Sequence, residues 1–217
     1  MKNVNINKTI VSIILLFISM ICFSQNIEKY DQIIDMKYYK SYYSNNIQGP
    51  SFVIYKLYKG GGNVSRKNMK FKEYGKLPHF NYLHSCFDRG HLVPAEDFAN
   101  SKTKLESTFY YINCVPQTVT LNRGIWKKYE GEIRKFSQLD SLLIICGGCD
   151  YDFKNKFIPR NCFKIVYSLK TKQCIYSLLF YNDGSDYVKV EDILQTKITY
   201  KKAIELYEKR NTKESYR

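Results

Sequence analysis

The chain has 217 residues, 44% of them hydrophobic and 16% aromatic, with a formal net charge of +14. That length and apolar content exclude a disordered chain and accommodate one domain with a sizeable core. The basic excess leaves two readings, a polyanionic partner or a merely soluble basic surface.

Residues 1–24 read as a secretory signal peptide. Lys2 and Lys8 open it, Ile10 to Cys22 is an apolar run, and Phe23-Ser24-Gln25 turns polar. The run is short for a transmembrane anchor. Ile21 is bulky where a lipoprotein signal needs a small residue before Cys22. The expected product is a secreted or periplasmic domain, residues 25–217, with a net charge of +12 and no stable membrane association. Export permits disulfides among Cys86, Cys114, Cys146, Cys149, Cys162 and Cys174, and the sequence does not choose their pairing. Cys146-Gly147-Gly148-Cys149 has redox-motif spacing but follows an apolar run. A structural disulfide or buried thiols are favoured over a redox site.

Residues 26–50 are polar and Tyr-rich and read as an N-terminal arm. Ser51 to Lys59 alternates apolar and polar residues, which predicts a strand. Gly60 to Asn63 is a loop. Val64 to Met69 carries Arg66 and Lys67. Pro94 rules out a long helix after Leu92, and Ala95 to Asn100 suits a short helical turn. Thr108 to Ile112 is rich in β formers. Thr120 to Gln138 reads as the central helix, with Ile125, Tyr129, Ile133 and Phe136 as its apolar stripe. Ser141 to Cys146, Phe163 to Lys170 and Gln173 to Phe180 read as strands, the last two as a hairpin. Val190 to Tyr207 reads as helical, and Lys209 to Arg217 as a frayed basic tail. No internal repeat or linker divides the chain. The fold class is α+β, a mixed, largely antiparallel sheet packed with helices.

Three blocks carry the chemistry: Asp88-Arg89-Gly90-His91, then Tyr111 to Gln117, then Leu121-Asn122-Arg123-Gly124-Ile125-Trp126-Lys127-Lys128-Tyr129-Glu130. Their order and spacing resemble the DNA/RNA non-specific endonucleases, over roughly residues 50 to 200. The resemblance implies a ββα-metal core and metal-dependent hydrolysis of DNA and RNA, with 5′-phosphate and 3′-hydroxyl products.

It places the water-activating base at His91. Arg89, two residues earlier, faces the same way in an extended segment and can grip a phosphate with two donors. Asp88 orients the loop or a neighbouring base. The resemblance makes Asn122 the ligand of a magnesium ion, with manganese or another divalent cation as substitutes. Glu130 lies eight residues on, roughly 12 Å along a continuous helix. It therefore reads as holding metal-bound water. Asn113 joins the catalytic set as a support of the site, and Gln117 matches a polar position before the helix. Arg134 either meets phosphate or pairs with Glu130, its i+4 neighbour. Arg66 is a further phosphate contact, and Trp126 is packing. His79 and His84 lack such a context and read as structural. The alternative functions are a non-catalytic basic nucleic-acid-binding module and a thiol oxidoreductase at Cys146 and Cys149. Monomer and dimer both stay open.

Overall fold

A strand can be apolar at every position only if both its faces are buried, and Leu142–Cys146 meets that condition. The computed structural model describes residues 30–151, 155–189 and 198–209. In chain order the elements are β1 (Gln32–Asp35), β2 (Tyr39–Ser44), β3 (Gly49–Leu57), β4 (Phe87–His91), α1 (Lys102–Ser107) and β5 (Cys114–Thr118). A helical segment from Val119 leads into α2 (Lys127–Phe136). Then come β6 (Leu142–Tyr151), β7 (Pro159–Ser168), β8 (Cys174–Tyr181), β9 (Tyr187–Lys189) and α3 (Tyr200–Glu208). The expected signal segment, residues 190–197 of the expected C-terminal helix, and the tail from residue 210 onward lie outside the described residues.

Seven strands form one antiparallel sheet in the order β1-β2-β3-β6-β7-β8-β9, while β4 and β5 pair separately as a two-stranded hairpin. This is the α+β architecture expected. β6 lies between β3 and β7, with Ile145 opposite Ile54 on one side and Ile165 on the other. Its alternate residues serve two cores. Leu142, Ile144 and Cys146 face the β4–β5 hairpin and α2, beside Leu92, Trp126, Tyr129 and Ile133. Leu143 and Ile145 face α3, beside Ala203 and Leu206. The sheet is thus the middle layer, and the hairpin with α2 covers one side of it.

Several expectations change. The arm at 26–50 contributes β1 and β2, because its tyrosines pack inward: Tyr39, Tyr42 and Tyr43 are buried. Tyr42 and Tyr43 also donate their hydroxyls to Leu206 O and Pro78 O. Thr108 to Ile112 is not a strand. Tyr111–Asn113 is a 3-10 turn, and the strand starts at Cys114. The central helix is interrupted. Gly124 sits at φ −99° and ψ −112°, inside a π-type turn over Asn122–Trp126. The turn shifts the helical phase. The buried face therefore runs Leu121, Trp126, Tyr129 and Ile133, while Phe136 stays 41% exposed. Helix starts follow ordinary capping: the side chains of Ser101, Thr118 and Thr199 accept from Lys104, Leu121 and Lys202 N–H groups.

Ile144 is fully buried in the central strand on the hairpin side. Ile144→Ala is expected to lower unfolding free energy by about 2–5 kcal/mol. Urea titration should show a lower midpoint at unchanged slope.

Candidate active site

β4 and β5 hold the DRGH residues by strand pairing: Asp88 opposite Gln117, Arg89 opposite Pro116, Gly90 opposite Val115 and His91 opposite Cys114. Gly90 is buried against Gln117, and a Cβ there would overlap the Gln117 side chain. Glycine is therefore the residue that lets the hairpin lie flat. Beyond the hairpin, Leu92 to Pro94 turns away. Asn113 fixes that turn: its Oδ1 accepts from Val93 N at 2.9 Å, and its Nδ2 donates to Val93 O at 3.0 Å and Thr108 O at 2.9 Å.

A cleft of about 720 Å³ opens between the hairpin and the interrupted helix. Arg66, Arg89, His91, Asn122, Glu130 and Arg134 all line it. Asn113, which the resemblance puts with the catalytic residues, does not. It is fully buried and acts on the backbone that carries His91 onward. The helix between Asn122 and Glu130 is not continuous, because Gly124 interrupts it, and both residues line the same cleft.

The His91 ring lies between Phe71 and Phe109, at centroid distances of 4.7 and 4.9 Å. Its backbone oxygen accepts from Trp126 Nε1 at 3.3 Å. Its Nε2 is buried and has no hydrogen-bond partner among the described residues. Burial, then the nearby Arg66 charge, lowers its pKa to about 3. The residue is half-buried, so water offsets part of that burial, and the imidazole is neutral at neutral pH. A phosphate arriving beside Arg66 would offset the cation and raise the basicity of the ring.

Asp88 organises the opposite wall. Asn122 Nδ2 donates to its Oδ2 at 2.9 Å, and Arg123 donates through Nε and Nη2 at 2.9 and 2.8 Å. The Arg123 hydrogen bonds lower the Asp88 pKa, burial opposes them, and the Asn122 bond lowers it further. With its nitrogen committed to Asp88, Asn122 has its amide oxygen left for a ligand. An amide oxygen is a hard donor suited to a divalent cation that keeps most of its water. Among the described residues no cluster of three or more His, Cys, Asp or Glu forms a metal cage. The donor set fits a largely hydrated cation on Asn122 with Glu130 near its waters, and does not fit a zinc-type site.

Glu130 sits in a charged neighbourhood with Lys164, Asp97 and Arg134. Burial pushes its carboxyl up to about 7; Lys164 and Arg134 pull it down, and Asp97 pushes it up. Arg134 does not pair with Glu130. Its Nε donates to Asp97 Oδ1 at 2.9 Å. Arg66 is exposed and reaches Glu96 only at 4.0 Å. At that distance and exposure the pair contributes little, and Arg66 is available to an anion. Trp126 is fully buried, as expected of packing.

Sequence reasoning missed Asp97 and Lys164, and nothing in a lone aspartate after Pro94 or a lysine in an apolar strand marks them. His79 stacks on Tyr111 at 3.7 Å and lies outside the cleft, as does His84. All six described cysteines are free. Burial raises the thiol pKa of Cys146 to about 12 and holds that of Cys149 well above the usual range. Cys146 Sγ donates to Leu92 O at 3.0 Å. These are buried thiols, without the lowered pKa of a redox pair.

A family model described as DNA/RNA non-specific endonuclease matches residues 21–211. Mitochondrial nuclease EXOG of Danio rerio is 32% identical over 93 residues, which are 40% of this chain and 27% of that protein. Nuclease C1 of Cunninghamella echinulata var. echinulata is 36% identical over 87 residues, 37% of this chain and 34% of that protein. Mitochondrial endonuclease G of Bos taurus is 29% identical over 126 residues, 54% of this chain and 40% of that protein. The matches thus span well under half the length of these relatives. The fold is shared with a chain in the crystal structure of an EndoG/EndoGI complex, at a TM-score of 0.59 and 19% identity, covering 75% of this chain and 80% of that one.

The raised pKa of Glu130 has a sign that can be measured. Its folded value, about 7 against 4.5, means the native state binds the extra proton between those limits. Its charge therefore lowers stability as pH rises through that window. Glu130→Gln should be nearly neutral at pH 5 and should stabilise at pH 8, with divalent cations chelated. Urea unfolding of both chains at the two pH values checks this. A stability difference that does not grow with pH would contradict the assignment.

Proposed function

The chain belongs to the DNA/RNA non-specific endonuclease family, and from that premise we propose that it is an endonuclease, exported to the periplasm or secreted, that hydrolyses DNA and RNA with a divalent cation, magnesium first. The observation that carries the reading is the convergence of Arg89 and His91 from the hairpin with Asn122, Glu130 and Arg134 from the interrupted helix on one cleft. A phosphodiester resists attack because its charge repels nucleophiles and its leaving alkoxide is poor. The cleft answers both difficulties.

His91 takes a proton from water, its neutral ring being ready to accept one. Arg89, Arg134 and Arg66 hold the phosphate, Arg89 and Arg134 from opposite sides of the cleft. Asn122 would hold a hydrated divalent cation through its amide oxygen, with Glu130 hydrogen-bonded to its waters. When bound, such a cation would supply positive charge against the charge that develops on the phosphate and the leaving oxygen. Asp88 keeps the amide turned the right way. The contacts available are to backbone phosphate, so little base preference is expected.

The chief alternative is a basic module that binds nucleic acid without cutting it. The residues 25–217 should degrade both supercoiled plasmid and RNA with magnesium and neither with EDTA. His91→Ala should lower kcat by about 10²–10⁴-fold. Binding without cutting by the unaltered chain would establish the alternative instead. Cleavage rates should also fall steeply between about 50 and 200 mM salt, as released counterions require. A flat salt profile would speak against phosphate-based recognition.

A further inference from the structure

Asp97 takes no part in the chemistry above, yet its carboxylate is only 1% exposed behind the cleft wall. A buried charge persists only with partners, and Asp97 has two. Tyr55 Oη donates to Oδ2 at 3.0 Å, and Arg134 Nε donates to Oδ1 at 2.9 Å. Tyr55 is a fully buried residue of β3, so the carboxylate is pinned to the sheet. The Asp97 backbone is pinned as well, because its oxygen accepts from Gly61 N at 3.2 Å.

Arg134 is the other end of this chain of contacts. It rides on α2, is 23% exposed and lines the cleft with His91 and Asn122. A guanidinium is a planar fork of five N–H donors. With Nε committed to Asp97, the two terminal amino groups are what Arg134 has left to offer an anion. A side chain with this many rotatable bonds would otherwise be free to swing in solvent. The line Tyr55, Asp97, Arg134 thus transmits the rigidity of the central sheet to one edge of the cleft.

We infer that Asp97 is a positioning residue: it fixes Arg134 so that the terminal amino groups meet the phosphodiester during cleavage. This deepens the nuclease reading and rests on it. A mere fold staple would predict lost stability with turnover unchanged in the folded fraction.

The experiment is a double-mutant cycle on the full chain, with initial rates of plasmid cleavage in magnesium and a thermal unfolding curve for every variant. Asp97→Asn keeps the shape and removes the charge. It should lower kcat/KM by about tenfold, the scale of one charge-assisted hydrogen bond. Arg134→Ala should lower it too. Adding Asp97→Asn to Arg134→Ala should cost nothing further, because the group it positions is gone. Tyr55→Phe keeps the carboxylate, should give a smaller loss, and carries the same test if Asp97→Asn does not fold. Its loss must likewise vanish in the Arg134→Ala background. Full activity in Asp97→Asn, or equal losses with and without Arg134, would overturn the inference while leaving the nuclease reading intact. An unaltered chain that cuts no polynucleotide would overturn both.

Discussion

Trp126 is the joint on which the cleft depends. Its ring is fully buried where the hairpin, the interrupted helix and the sheet meet. Its Nε1 donates to the backbone oxygen of His91, one face covers the Lys164 ammonium at 3.7 Å, and its edge meets Phe180 at 5.3 Å. Each contact joins a different element. The hydrogen bond ties the end of β4 to the helix, and the other two seat the helix on β7 and β8. A lysine buried in a sheet face would ordinarily be unfavourable, and the indole face is one of the few apolar surfaces that attracts a cation. The same ring therefore fills the core and accommodates a charge beside Glu130.

The electrostatics of the cleft follow from that arrangement. Charges crowd into a half-dry space in which each one shifts its neighbours. Arg66 and burial both keep His91 neutral, while burial holds Glu130 near neutrality against the pull of Lys164 and Arg134. A positive wall of arginines attracts a polyanion, and its acidic partners keep those arginines oriented. Asp88 holds Arg123, and Asp97 holds Arg134. The acids thus determine where the cations point, which a net charge cannot convey.

Much of the fold was legible because period and composition report burial. The all-apolar run at Leu142–Cys146 and the alternation from Ser51 correspond to β6 and β3, and β7 and β8 fell within a few residues of their expected positions. β1 and β2 were hidden because their buried side chains are tyrosines, whose hydroxyls look polar in a sequence but find backbone carbonyls here. The helix interruption was hidden because a single glycine in a helical pattern is normally tolerated. The residues of the cleft were legible through the resemblance alone. How Asn113 supports the site was hidden, because its amide looks alike in a sequence whether it faces a substrate or a backbone turn. Asp97 and Lys164 were invisible because burial, the property that makes them consequential, is a matter of three dimensions.

An amide rather than a carboxylate at position 122 has a chemical consequence within the proposed mechanism. On a straight helix, residues eight apart would lie roughly 12 Å from each other along the axis, too far for both to ligate one ion directly. The π-type turn falls between Asn122 and Glu130, and both residues line one cleft. In that mechanism the ligand would be a neutral amide, turned by its hydrogen bond to Asp88. A neutral ligand leaves the full charge of a divalent cation for the phosphate, whereas an aspartate there would cancel part of it. The acid that could compete, Asp88, already spends both oxygens on Asn122 and Arg123. Asp88 thus acts on the cleft through the donors that it orients, Asn122 and Arg123.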